Sequence, residues 1–328
     1  MGIPRIVLPR ERPECTEGPL EPHTRRHLQS VLGTSRYALA PGAMEGYLAG
    51  LDRQVRCGYP GVVEVLVASG GRVDPLAPSY VATLARRAAA VIATPAMARS
   101  HPVLPIRIFI VPCPDVRTVP PPGEPVEPRH INGGFTYTTG DDIYLFRREE
   151  LGKVMVHELL HHSIYHVDPW PPAVLRRMYV AFGIESDGCD PAMDRCPTML
   201  RPNEAVVEAY ALLYHLALVS GGDPRMFAAM WKQELAHAFD LAAWVRDHQA
   251  TLAGGKWKEG THAFSYLCLR AALLREGLPA LEGHYDPEQM AAIMDRGWQK
   301  LSGTTTTDSR RSPARRPTAL RMTVFGSM

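Results

Sequence analysis

The chain has 328 residues, 45% of them hydrophobic, and a formal net charge of +2 at pH 7. This length and composition allow a sizeable core in one large domain or two small ones. Because Lys+Arg 36 nearly balance Asp+Glu 34, no global field draws the protein to nucleic acid or to an acidic membrane, and neither is expected as a partner.

In chain order, the first part of the sequence predicts a mixture of helices and strands. Residues 1–20 are rich in Pro, Glu and Arg and are predicted to form an irregular arm. A helix is predicted over Ser79–Ile92, with Ser79 as its candidate N-cap. The other elements predicted here are helices over about 22–33 and 43–56 and strands over 62–68 and 106–111.

A Pro-rich linker over residues 111–128 comes next and contains too much proline for a regular element. Phe135–Thr139 and Ile143–Phe146 then predict the two strands of a hairpin, and Leu151–His166 predicts an apolar helix. Beyond it the chain is almost wholly helical, with amphipathic patterns over 172–182, 204–219, 224–247, 262–275 and 287–301.

These elements predict an α+β fold class with two main parts. Residues 21–166 combine a small mixed sheet with the apolar helix, and residues 167–301 form a mainly helical part. The arm of residues 1–20 precedes them. A basic tail over residues 302–328 follows them, and its Thr-, Ser-, Arg- and Pro-rich composition predicts disorder.

The most informative motif lies in the apolar helix. His157 and His161 are four residues apart, so a helix places both imidazoles on one face, where they can bind one metal ion. Glu158 directly follows the first histidine and can reach a water on that metal. Two histidines and a glutamate at this spacing are typical of zinc hydrolases, in which the glutamate is the general base.

A third protein ligand has to come from elsewhere in the chain. The metzincin continuation is absent, because Ile164 stands at its glycine position and Val167 at its third-ligand position. Downstream, Asn203–Tyr210 begins a strong helix and carries two acids, Glu204 and Glu208, on one face. A resemblance to the gluzincin metallopeptidases favours Glu204 as the ligand and implies that Glu208 accepts a hydrogen bond from a metal-bound histidine. The reverse assignment stays open, because Glu204 also suits a helix N-terminus.

The motifs HELLH (157–161) and NEAVVE (203–208) resemble those of the gluzincin metallopeptidases, whose second motif ends in Asp where this chain has Glu208. The resemblance implies a zincin-like fold, one zinc ion on His157, His161 and Glu204, Glu158 as general base, and a peptide or protein substrate. Four segments are also similar to predicted metallopeptidases of large DNA viruses: HINGGFT (130–136), FRREE to HELLH (146–161), NEAVVEAYA (203–211) and THAFSY (261–266).

Sites of this kind usually add a histidine or tyrosine that stabilises the developing oxyanion. The candidates are Tyr210, His215, His262 and Tyr266. His262 and Tyr266 are four residues apart at the start of a late helix, as a pair facing one cleft would be, although each also suits an ordinary half-buried position. Gly133 and Gly134 precede a predicted strand and allow either close approach of another chain or a plain turn.

Three functions are compatible with these motifs. The first is a zinc-dependent peptidase, the second a catalytically silent zinc-binding interaction protein, and the third a hydrolase of the same type that cleaves a non-peptide bond. The intact Glu158 argues against the silent protein. The third function depends on pocket walls that the sequence does not place.

The cysteines and the N-terminus predict the compartment. No cysteines are spaced C-x-x-C, which argues against a cysteine-ligated zinc site. Cys189 and Cys196 flank a short loop and are the candidate disulfide pair, with two free thiols as the favoured alternative. Because the sequence has neither an apolar signal segment nor a membrane-spanning run, a cytoplasmic protein is expected.

Overall fold

The protein combines a six-stranded sheet with helices, in agreement with the predicted α+β class. The computed structural model describes residues 4–39, 42–94, 104–137, 142–163, 170–184, 200–249, 257, 259–279, 286–303 and 317–326. Among the helices of these residues, none has the length and apolar character needed to cross a membrane.

The sheet is mixed, with a parallel centre and antiparallel edges. Its strands in chain order are β1 (Glu14–Pro19), β2 (Arg53–Tyr59), β3 (Val63–Ser69), β4 (Ile106–Cys113), β5 (Gly134–Thr136) and β6 (Asp142–Arg147). Across the sheet the order is β1-β2-β3-β4-β6-β5. The pairs β3–β4 and β4–β6 are parallel, whereas the other neighbours are antiparallel. The predicted hairpin is thus confirmed as the β5–β6 pair, which lies at one end of the sheet.

Helices make up most of the remaining described chain. They are α1 (Pro22–Leu32), α2 (Ala43–Ala49), α3 (Pro78–Ile92), α4 (Pro128–Ile131), α5 (Leu151–Ser163), α6 (Pro172–Ala181), α7 (Pro202–Val219), α8 (Pro224–Gln249), α9 (Arg270–Glu276) and α10 (Pro287–Gly303). A π-helical turn, Ser265–Leu269, leads directly into α9. After α5 the described residues are mainly helical.

Both faces of the sheet are covered, because its central strands are apolar at successive positions. In β3, Val65 and Val67 belong to the core shared with α3, α5 and α7, whereas Leu66 and Ala68 belong to the core beneath α1 and α2. Such strands read as continuous apolar runs. α5 contacts β5 and β6 on one side and α7 on the other, so the fold brings the two predicted ligand motifs together.

The predicted N-terminal arm is only partly irregular. Glu14–Pro19 forms the edge strand β1, which pairs with β2 along its whole length. A disulfide joins Cys15 to the directly opposed Cys57. The sequence does not reveal this strand because nearly all of its side chains are exposed, and an exposed edge has no apolar face to give a pattern.

Two helix boundaries also differ from the prediction. The helix expected over 43–56 ends at Ala49, and Arg53 begins β2, because residues 53–59 pair with a strand on each side. Ser79 is not an N-cap. Ala77 occupies that position without a side-chain hydrogen bond, and α3 starts at Pro78, whose fixed φ suits a first helical turn.

The tail is not disordered throughout. Residues 317–326 pack against the helical part of the protein, and Leu320 and Thr323 are fully buried. The disorder prediction is therefore wrong for this stretch, because a few apolar residues in a polar tail are enough to anchor it to an existing core. The rest of the tail, residues 304–316, lies outside the described chain.

Several positions used in the sequence argument also lie outside the described residues. They are Ile164, Val167 and the cysteine pair Cys189 and Cys196.

The sequence does not predict the disulfide Cys15–Cys57. Because disulfides are rare in a reducing cytosol, the oxidation state of this pair is a direct test of the cytoplasmic expectation.

The disulfide is expected to survive purification without reductant. Proteolytic digestion under non-reducing conditions should give a cross-linked peptide containing Cys15 and Cys57, detected by mass spectrometry. Since the bond closes a loop of sequence separation 42, Cys15→Ala should lower the free energy of unfolding by about 2–4 kcal/mol. Recovery of both cysteines as alkylated monomers from unreduced protein would contradict this pairing.

Candidate metal centre

Two histidines on α5 face the same space, as their spacing predicts. The Nε2 atoms of His157 and His161 lie 3.0 Å apart, and the rings meet edge to face with centroids 4.7 Å apart. His157 is buried and His161 is half-buried. Two imidazole nitrogens at this separation can bind one ion between them.

A carboxylate from α7 completes the group. Oε2 of Glu204, in the first turn of α7, lies 3.0 Å from Nε2 of His161 and 3.6 Å from Nε2 of His157. All three donor atoms lie within 4.8 Å of one another. Ligand atoms about 2.0–2.1 Å from zinc in a tetrahedral site lie about 3.3 Å apart, so the spacing of this His157–His161–Glu204 cluster fits zinc.

Glu208, one turn further along α7, lies behind the cluster rather than in it. Its Oε2 is 2.8 Å from Nδ1 of His157, the nitrogen that faces away from Glu204. A carboxylate this close favours the tautomer that carries its proton on Nδ1, which leaves the lone pair of Nε2 free to bind a metal. Of the two assignments left open by the sequence, the geometry favours Glu204 as the ligand.

Two buried cations hold the other oxygen of Glu208. Lys153 Nζ donates to Oε1, and Arg270 Nη1 donates to the same atom at 3.1 Å. All three side chains are at least 98% buried. The sequence analysis missed both cations. The sequence could have indicated Lys153, because a lysine four residues before His157 in an apolar helix lies on the same face as that histidine. Nothing in the sequence pattern indicates Arg270.

The charges of the cluster shift the pKa values of the metal-free protein. Burial by itself lowers the pKa of His157, but the interactions with Glu204 and Glu208 and the charge of Glu158 outweigh it and raise that pKa to about 9. Burial would raise the pKa of Glu204, but His161 and His157 hold it well below its usual range. Burial would likewise raise the pKa of Glu208, but the positive charge of Lys153 and the neighbouring His157 outweigh it and lower that pKa.

Glu158 points into a small cleft beside the cluster. The carboxylate is buried, and this burial raises its pKa even though the neighbouring histidines oppose the shift. The cleft measures about 40 Å³ and is also lined by Gly133, Tyr266 and Met322. A space of this size is enough for about one water. Glu158 and His157 thus line the same cleft.

Only some of the oxyanion candidates lie near the cluster. The ring of Tyr266 meets that of His157 edge to face at 5.9 Å. Burial and the nearby charges of Glu204 and Glu158 raise the pKa of Tyr266 well above its usual value. His262 lies 6.4 Å from Tyr266 between ring centroids, and its charge lowers the pKa of Glu204. These two remain candidates.

The other two candidates have partners elsewhere. The hydroxyl of Tyr210 donates to the carbonyl of Pro279 at 2.8 Å. The imidazole of His215 lies 3.2 Å from the carbonyl oxygen of Phe325. Both side chains are buried, and neither lines the cleft. Tyr210 lies on a different face of α7 from Glu204, and His215 shares the face of Glu204 but lies three turns further along the helix.

The π-helical turn Ser265–Leu269 carries Tyr266. Single π-turns inside α-helices are frequent at functional sites. The extra residue of such a turn rotates the side chains that precede it relative to those that follow. The sequence predicted one continuous helix over 262–275, because a π-turn leaves no periodic signal of its own.

The glycines before the hairpin are required by contacts inside the protein. A Cβ at Gly133 would lie 2.7 Å from the guanidinium of Arg117, and one at Gly134 would lie 2.6 Å from the side chain of Leu145. The sequence allowed either close approach of another chain or a plain turn here, and the contacts that crowd both glycines come from within the protein. Arg117, which the sequence analysis also missed, lines the cleft beside Gly133.

Comparison with known proteins adds no family assignment: no protein-family model, no curated protein and no solved structure matches this chain. The functional argument therefore depends on the side chains themselves.

The raised pKa of His157 predicts a pH dependence for the metal-free protein. Because about 9 lies above the usual 6.5, the charged imidazole stabilises the fold fully below pH 6.5, and this contribution is lost as the pH rises through 9. The free energy of urea unfolding should therefore fall between about pH 6 and about pH 9.5 more steeply in wild type than in His157→Gln.

The exposed histidine His23 supplies the matched control for this measurement. His23→Gln should keep the wild-type slope. If His157→Gln and His23→Gln give the same slope as wild type, His157 does not carry the raised pKa.

Proposed function

We propose that the protein is a zinc-dependent peptide-bond hydrolase of the gluzincin type with a zincin-like fold. The main support is that the donor atoms of His157, His161 and Glu204 all lie within 4.8 Å of one another. In addition, Glu208 contacts Nδ1 of His157. Two imidazoles and one carboxylate are the usual ligand set of a catalytic zinc, whose fourth position stays open.

The donor set and its surroundings favour a catalytic rather than a structural ion. Structural zinc is usually closed by four protein ligands, whereas three donors converge here among the described residues. The cleft next to them is lined by an acid and a tyrosine, Glu158 and Tyr266. When bound, zinc supplies a Lewis acid that lowers the pKa of a water and polarises the scissile carbonyl.

The chain's own residues supply the proton transfers and stabilise the developing negative charge. Glu158 accepts a proton from the attacking water as its oxygen bonds to the carbonyl carbon. It delivers that proton to the leaving amine as the C–N bond breaks. Its burial, by raising the pKa, makes the protonated form accessible for the second step. The hydroxyl of Tyr266 is the candidate donor to the carbonyl oxygen, where negative charge develops.

The edge of the sheet beside this cleft could bind an extended peptide. Among the described residues β5 is the last strand of the sheet, and its first residue Gly134 and the preceding Gly133 line the cleft that Glu158 enters. A peptide can add to such an edge as a further strand, with main-chain hydrogen bonds that do not depend on its side chains. This arrangement supports a peptide or protein as the substrate class.

Metal analysis combined with a peptide-library cleavage assay tests the proposal. Wild type should bind about one zinc per chain. Glu158→Gln should keep the zinc but lose about 10²–10⁴-fold of the cleavage rate, since only the proton transfer is removed. Glu204→Ala should lose zinc affinity. Glu45→Ala, at an exposed position on α2, is the matched control and should keep both properties.

In the same assay, Tyr266→Phe should lower kcat by about 10²-fold without loss of zinc, because it removes one donor to the oxyanion. Tyr210→Phe removes a hydroxyl that is bound to Pro279 instead and should leave kcat unchanged. Wild type without zinc would overturn the proposal as a whole. Full activity of Glu158→Gln would overturn the assignment of the base.

A further inference from the structure

Residues 317–326, the C-terminal segment, lie against the back of the metal centre. Met322 lines the same cleft as His157 and Glu158, although it follows Glu158 by half the length of the chain. Thr323 is fully buried beside it. Polar contacts, not only apolar ones, hold the segment in place, and two of them connect it indirectly to the cluster or to the helix that carries both histidines.

The first contact runs through Arg270, at the start of α9. Its Nη1 donates to the carbonyl oxygen of Met322 at 2.7 Å and to Oε1 of Glu208 at 3.1 Å. The other oxygen of Glu208 meets Nδ1 of His157. Arg270 is fully buried, so its guanidinium depends on these acceptors for its position. The C-terminal segment therefore reaches His157 through two intervening side chains.

The second contact runs through Glu150, which immediately precedes α5. Glu150 has a φ of 60°, a left-handed backbone conformation that costs energy for a residue with a side chain. Its carboxylate accepts hydrogen bonds or ion pairs from the amide of Thr323 at 2.6 Å and from Arg117. The segment thus helps to hold the residue at which the chain turns into the helix that carries both histidines.

Further contacts fix the segment on the helical part. Glu234 of α8 accepts hydrogen bonds from the hydroxyl of Thr323 and, at 2.9 Å, from the amide of Val324. The carbonyl of Phe325 lies 3.2 Å from the imidazole of His215. Gly326 packs so closely that a Cβ there would lie 3.1 Å from Cα of Glu150 and 2.4 Å from its Cγ.

We propose that the C-terminal segment is a positioning element of the metal centre, acting on His157 through Arg270 and Glu208 and on α5 through Glu150. This inference rests on the proposed function, because it assigns the segment a role at the same metal site. Arg270 and the polar contacts of the segment act on Glu208 and Glu150, not on the donor atoms of the cluster. They hold the imidazole of His157 in the orientation and tautomer that bind the ion, a role that outer partners of metal ligands commonly have.

Zinc affinity of the full-length chain tests the inference. Gly326→Ala displaces the segment from Glu150 by adding a Cβ, and Arg270→Lys keeps the charge but shortens the link between Met322 and Glu208. The matched control is Gly46→Ala in α2, where an added Cβ meets nothing within 4 Å. The zinc dissociation constant is measured by competition with a chromophoric chelator, after near-UV circular dichroism has shown that each variant is folded.

Both variants should bind zinc about 10-fold or more weakly than wild type, and Gly46→Ala should match wild type. With cobalt in place of zinc, the ligand-field absorption bands should move in the two variants, which a purely structural loss of stability would not cause. If Arg270→Lys does not fold, Gly326→Ala decides the question.

Wild-type affinity and an unchanged cobalt spectrum in both folded variants would overturn the inference while leaving the proposed function intact. Failure of wild type itself to bind zinc would instead refute the proposed function. The two failures are therefore distinguishable within one set of measurements.

Discussion

The buried carboxylate of Glu208 is the group on which the candidate metal centre depends. One of its oxygens contacts His157, and the other accepts from Lys153 and Arg270. A buried carboxylate is costly unless it is paired and hydrogen-bonded, and here it is both. Because its partners belong to α5 and α9 while Glu208 belongs to α7, this one group sets how three helices meet at the cluster.

The same constraint explains why an otherwise apolar helix carries two acids. Every residue of α7 from Ala205 to Leu218 is buried, so apolar packing alone would leave the rotation of α7 about its axis weakly specified. Pairing Glu204 with His161 and Glu208 with His157 selects one rotation. The buried polar contacts thus give α7 a unique register against α5, and the resulting register brings the three donor atoms together.

Local patterns in the sequence predicted the parts of the site that depend on local geometry. The spacing of His157 and His161 and that of Glu204 and Glu208 each needs only a helix, and the geometry agrees with both. Arg270 and the C-terminal segment could not be predicted, because their roles arise from contacts between residues far apart in the chain. β1 was missed for a similar reason, since its pairing with β2, and not its own composition, makes it a strand.

X-ray absorption at the zinc edge, on protein loaded with one equivalent of zinc, tests the central claim most directly. The account predicts a first shell of nitrogen and oxygen donors at about 2.0–2.1 Å, with the outer scattering of two imidazoles and no sulfur. That result should hold for Glu158→Gln as well, and Glu204→Ala should change the shell. A zinc–sulfur distance of about 2.3 Å, or a shell without imidazole scattering, would contradict the account.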